Sequence, residues 1–171
     1  VVFLRGNHED AWLRACHVGA PEFVLPRGNG CYATYRSFTG GAVPAPGDGP
    51  TAEELRAMAT GAFLPPDVVA WMEALPFFHE DEHAIYVHAG LPFEGGRWLH
   101  PSEVKDPRPL LWQRSRAFYQ EYAGKRVVFG HTPVKRLPQE QSAHTPDDAL
   151  DVYLTPSLVG LDTGAGMGGF L

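Results

Sequence analysis

Cysteine is scarce, with only Cys16 and Cys31 in 171 residues. The pair lacks zinc-ligand spacing, and two thiols cannot build the disulfide framework of a small secreted domain. Cys16 falls in an apolar helical stretch and reads as a reduced core residue rather than half of a bridge to Cys31. Cations are outnumbered, 14 Lys and Arg against 20 Asp and Glu, for a net charge of -6. A surface built for nucleic acid is therefore not expected. No apolar run approaches the ~18 residues of a membrane span. The first residues do not read as a secretory leader. A cytoplasmic protein with no membrane and no nucleic-acid partner is the expectation.

The composition is otherwise that of a folded chain. Hydrophobic residues make up 44%, enough to exclude wholesale disorder. The length fits one domain over residues 1–171 with a real core. Gly 19 and Pro 16 point to long loops between short elements, notably residues 40–50 and 92–109.

Patterning predicts an α/β order. A strand is expected over residues 1–4, a helix over 9–16, and a strand or irregular segment over 31–38. Thr51-Ala52-Glu53-Glu54 is a capping box opening a helix to about Ala59. A second helix is expected over 67–75, with Val68, Trp71, Met72 and Leu75 at helical spacing. Strands are expected over 84–87, 126–129, 152–154 and 158–161, and an amphipathic helix over 110–122.

Three of these strands run into polar residues of the same kind. Residues 1–4 lead to Gly6-Asn7-His8-Glu9. Ala84-Ile85-Tyr86-Val87 leads to His88-Ala89-Gly90. Arg126-Val127-Val128-Phe129 leads to Gly130-His131-Thr132-Pro133. Polar residues at the carboxyl ends of buried strands are how α/β proteins build sites. Neutral imidazoles with an amide oxygen suit a borderline divalent ion. An imidazole beside a metal-bound phosphoester can protonate the leaving oxygen. Arg114 and Arg116 have the forked donors that clamp phosphate. Taken singly, each residue has a bland alternative: a hydrogen-bonded structural histidine, or a solvated arginine. Asp162 ends a strand near the expected site, and reads equally as a turn residue or as the partner that holds a ligand histidine. His17, His79, His83, His100 and His144 read as surface or loop residues, and Trp98, Trp112, Phe118 and Tyr122 as packing residues.

Gly6-Asn7-His8-Glu9, His88-Ala89-Gly90-Leu91, Leu111-Trp112-Gln113-Arg114, Gly130-His131-Thr132-Pro133 and Asp162-Thr163-Gly164-Ala165, in that order, resemble the calcineurin-like metallophosphoesterases. Within them the likeness is to the bacterial and phage-type serine/threonine phosphoprotein phosphatases. The resemblance implies a sandwich of two mixed β-sheets flanked by helices. It implies Asn7, His88 and His131 as ligands of the second of two metal ions, manganese, iron or zinc. His8 would be the general acid and Arg114 the phosphate-binding arginine, with Arg116 as second choice. Glu9 would pair with an arginine from an earlier motif. The implied reaction is hydrolysis of phosphoserine or phosphothreonine in proteins by direct attack of a metal-bridging hydroxide, with no phosphoenzyme.

That family's first motifs, Asp-x-His and Gly-Asp-x-x-Asp-Arg, precede Gly-Asn-His-Glu, and neither stands ahead of it here. They supply the first ion's ligands and the bridging carboxylate, without which two adjacent cations repel. The expectation is an amino-terminally truncated domain with half a site. The 171-residue chain alone is expected to have little or no activity. Two other functions stay open. One is symmetric dinucleoside polyphosphate hydrolysis, which Gly-Asn-His-Glu rather than Gly-Asn-His-Asp disfavours slightly. The other is a non-catalytic binding module, against which every family position inside the chain carries a chemically competent residue.

Overall fold

In a computed structural model, residues 1–42, 47–143 and 151–165 are described. His144, Asp147-Asp148, the centre of the 40–50 loop and the closing glycines lie outside the described residues. The chain forms two compact units, one of residues 8–74 and one of residues 1–7 with 75–171.

The first of these is helical: α1 (Asn7–Val18), α2 (Pro21–Val24), α3 (Cys31–Thr39), α4 (Ala52–Ala59) and α5 (Pro66–Ala74). Asn7, the first residue of α1, belongs to the other unit. Glu9 and Asp10 in the first turn of α1 match the positive end of its dipole. The core gathers Trp12, Phe23 and Met58, with Trp12 edge-on to Phe23 and Phe63 at 5.3 and 5.2 Å. Residues 31–38 are helix, not the strand or irregular segment the aromatic-polar alternation suggested. Tyr35 and Phe38, three apart, both meet Phe63, a helical spacing that packing enforces over β-like composition. Glycines in the left-handed region, Gly30 and Gly40, bound that helix. Both cysteines are free thiols, and burial pushes the Cys31 thiol up to about 11.

The capping box forms as expected. Thr51 Oγ1 accepts the Glu54 amide at 3.2 Å, and the Glu54 carboxylate accepts the Thr51 amide at 2.7 Å. The same carboxylate pairs with Arg36 at 2.8 Å, tying α4 to α3. Thr51→Ala is expected to destabilise this unit by about 1 kcal/mol, read as a lower denaturant midpoint with unchanged slope.

The other unit is built on a mixed five-stranded sheet in the order β1-β2-β5-β7-β6. Its strands are β1 (Phe78–Glu80), β2 (Ile85–Val87), β5 (Val127–Phe129), β6 (Tyr153–Leu154) and β7 (Leu158–Gly160). The edge strands are antiparallel, while β2, β5 and β7 run parallel. A two-stranded antiparallel ribbon, β3 (Phe93–Glu94) and β4 (Arg97–Trp98), lies within the expected 92–109 loop. The protein is thus mixed α/β. The core on one side of the sheet centres on Phe118, which has no exposed surface and meets Trp98, Tyr119, Tyr122 and Phe129. Among the described residues no helix is long and apolar enough to cross a membrane.

Two expectations fail in this unit. Residues 1–4 form no strand. A strand needs a neighbour for its backbone groups, and the hydrogen bond from the Arg5 amide to Pro76 O, at 2.9 Å, is not a ladder. Val1, Val2 and Phe3 are exposed. The single helix over 110–122 is instead α6 (Arg108–Trp112) and α7 (Arg116–Glu121). Gln113 is extended at the break and gives its side-chain amide to Leu91 O at 2.8 Å. Ser115 then caps α7 through the Phe118 amide. A tertiary hydrogen bond overrides helical periodicity and sets Arg114 between two helices.

The ribbon is latched by Glu103, which accepts hydrogen bonds from the two terminal guanidinium nitrogens of Arg97, at 2.9 and 2.6 Å, and from the His100 amide at 3.0 Å. The Arg97 bond, first, and the amide bond hold its carboxyl down at about 2. A depressed carboxylate pKa adds stability above the ordinary value, and that stability is lost as pH falls through the folded one. Thermal midpoints compared at about pH 5 and about pH 3 are expected to show a small acid loss that Arg97→Gln diminishes.

Candidate metal centre

Parallel pairing is what assembles the site. The registers Ile85↔Val127 and Phe129↔Gly160 put the carboxyl ends of β2, β5 and β7 along one sheet edge. His88 follows β2 directly, His131 lies two residues past β5, and Asp162 two past β7. The Gly130 amide donates to His88 O at 3.0 Å, locking the first two strand ends together.

Asn7 arrives from the start of α1 and is buried, 9% exposed. A buried carboxamide needs a partner. Its Oδ1 accepts from Nε2 of His88 at 2.8 Å across 81 residues of sequence. The His88 and His131 rings lie 5.0 Å apart, centroid to centroid, and Nε2 of His131 is shielded from solvent.

His131 stands out in its backbone. Its φ of 63° makes it the one non-glycine residue with positive φ among those described. The Thr132 amide reaches back to Gly130 O at 2.6 Å, closing a three-residue turn around it. Such turns with positive φ at the centre are rare and strained. A non-glycine residue held there costs ~1–3 kcal/mol and marks functional positions.

Asn7 and His88 have donor chemistry suited to a divalent cation. Ligand atoms about 2.1 Å from one ion and at right angles to each other lie about 3 Å apart, so the 2.8 Å separation of Asn7 Oδ1 and His88 Nε2 suits neighbouring ligands as well as a hydrogen bond. The set is two imidazoles and an amide, and among the described residues no group of three or more His, Cys, Asp or Glu side chains is gathered as a metal site. A cavity of about 450 Å³ opens beside it, lined by His88, His131 and Asp162 and walled by Tyr86, Val128 and Leu161.

The other site residues fall elsewhere. Asp162 turns its Oδ1 to the Gly164 amide at 2.8 Å, the turn role, while also lining the cavity. His8 and Glu9 belong to the helical unit, His8 joined to Asn7 by a peptide bond. His8 is exposed, edge-on to Phe23 at 5.3 Å, and protein around its ring lowers its pKa against the opposing pull of Glu9. Arg114 and Arg116 line a second cavity that shares no wall residue with the first.

The bland residues keep structural roles. His17 pairs with Glu73 at 3.1 Å. His100 bridges Glu80 and Ser102. Asp81-Glu82-His83 has the letters Asp-x-His, but it sits ahead of β2, at the opposite end of that strand from His88. Its Asp81 is occupied with the His83 and Ala84 amides. Two residues named in the motifs gain a structural role at the site. Gly90 lets β2 end against Phe118, and Trp112 stands edge-on to His131 with ring centroids 6.4 Å apart. A glycine two past a site histidine was the signal for the first.

No family model matches the chain, and no curated protein or solved structure matches it.

Proposed function

We propose that this chain carries the second-ion half of a metal-dependent phosphoesterase centre acting on phosphoserine or phosphothreonine in proteins. The observation that carries the reading is the meeting of Asn7, His88 and His131, from three distant segments, at the edge of parallel strands. The motif order adds to it, and the metallophosphoesterase sandwich is part of the same reading. Free thiols favour the cytoplasm.

In this reading Asn7 Oδ1 and the two imidazoles hold the cation. Divalent cations, when bound, neutralise phosphoryl oxygens and lower the pKa of the attacking water. His8 donates a proton to the leaving oxygen. Arg114, with Arg116 as second choice, takes the phosphoryl oxygens. Glu9 orders the site through an arginine, and Asp162 steadies a ligand histidine. Attack is in line on phosphorus, with no covalent intermediate. Asn7, His88 and His131 would supply ligands to one of the two ions.

The test is hydrolysis of para-nitrophenyl phosphate, a phosphoserine peptide and diadenosine tetraphosphate with manganese, by the protein as encoded. Metal-dependent turnover of the peptide by the encoded protein is expected. A preference for the dinucleotide by orders of magnitude moves the substrate to the dinucleoside polyphosphates. No metal-dependent hydrolysis by the encoded protein overturns the reading.

A further inference from the structure

We propose that the second cavity is an oxyanion-binding site, which holds a second negatively charged group of the substrate. It measures about 380 Å³ and is lined by Arg114, Arg116, Arg136, Tyr119, Thr132 and Glu140. Three arginines and one glutamate line it, in a protein whose net charge is -6; Arg116 and Arg136 serve this anion, while Arg114 serves the phosphoryl oxygens. Such a chain repels polyanions in general, so a local excess of cations decides where one can settle.

The carboxylate does not cancel that excess. Glu140 reaches Arg116 only at 3.6 Å, longer than a hydrogen bond. Among the described residues neither Arg114 nor Arg136 makes an ion pair. The floor is rigid: Tyr119 and Thr132 are 5% and 4% exposed, and their hydroxyls bond each other at 2.9 Å. In such a pair one hydroxyl donates to the other, so the second keeps its proton for a ligand. Forked guanidinium donors over a hydroxyl floor suit phosphate-class oxyanions.

Position links the cavity to the metal centre. Thr132 follows His131 in sequence and closes the strained turn around it. Arg136 ends the single helical turn Val134–Arg136 that begins two residues later. The anion-binding claim stands by itself. The claim that the anion is a second group on the substrate rests on the phosphoester reading above.

The test follows arginine Nε–Hε NMR signals of residues 1–171 during titration with inorganic phosphate in metal-free buffer. Saturable shifts at Arg116 and Arg136 are expected, with none at Arg108, which pairs with Asp106 and does not line the cavity. Arg136→Gln should weaken phosphate about fivefold, and Glu140→Gln should tighten it about twofold. Opposite signs separate a site from general damage. Absent saturation, or equal shifts at Arg108, overturns the site. In a second arm, phosphoserine peptides carrying a neighbouring phosphoserine, aspartate or alanine are compared. Tighter binding of the two acidic peptides, lost in Arg136→Gln, is expected, and the larger gain names phosphate or carboxylate as the group. Equal binding of all three overturns the substrate claim. Failed hydrolysis with intact phosphate shifts counts against the phosphoesterase reading alone.

Discussion

His88→Ala is expected to lower Mn²⁺ affinity about a hundredfold or more. Residues that merely orient a ligand are worth 10–100-fold in general, and His88 is read as a ligand itself. The same change strands the Asn7 carboxamide, whose Oδ1 loses its 2.8 Å donor in a buried position. An unsatisfied buried acceptor costs ~1–3 kcal/mol, so folding stability should fall as well. His131→Gly separates the two effects. Glycine accepts the positive φ of 63° without a Cβ, so stability should hold or rise by about 1 kcal/mol while metal affinity falls. Titration calorimetry with Mn²⁺, beside denaturant unfolding of the metal-free protein, reads both. Unchanged Mn²⁺ affinity in both variants contradicts the assignment of these histidines.

Gly90→Ala carries the largest expected loss of stability. A Cβ there would stand 2.5 Å from Gln113 Nε2 and 2.8 and 2.9 Å from ring carbons of Phe118. The amide is the end of a flexible side chain and can swing away, at the expense of its bond to Leu91 O. The ring cannot, because Phe118 is fully buried among four other aromatic rings. A φ of 155° adds strain for any side chain. Overpacking and strain together should cost ~2–4 kcal/mol. Gly30→Ala is the control: its φ is also positive, but no atom lies within 4 Å, so only the ~1 kcal/mol of backbone strain applies. Equal losses at the two positions would show that the contact with Phe118 does not constrain the end of β2.

The approach of His88 to His131 was legible because strand ends write themselves locally. An apolar run followed by histidine marks both β2 and β5, and the parallel pairing that unites His88 with His131 follows from an α/β order. The Thr51 capping box is equally local. The failures are tertiary. Residues 1–4 have strand composition, but pairing is a property of neighbours. Residues 31–38 carry aromatic and hydroxyl residues that suit strands, and only packing on Phe63 makes them helical. The break between α6 and α7 depends on Gln113 finding Leu91 O, a bond across 22 residues that no periodicity records. That break sends Arg114 to a cavity apart from His88 and His131, where Arg136 joins it. Arg136 bears no motif, which is why the sequence did not single it out.

Anomalous scattering from crystals grown with Mn²⁺ tests the shared cation most directly. The expected result is a manganese peak bonded to Asn7 Oδ1 and to ring nitrogens of His88 and His131. Manganese held only by surface groups such as His79, Glu82 or His83, with Asn7 still bonded to His88, would contradict it.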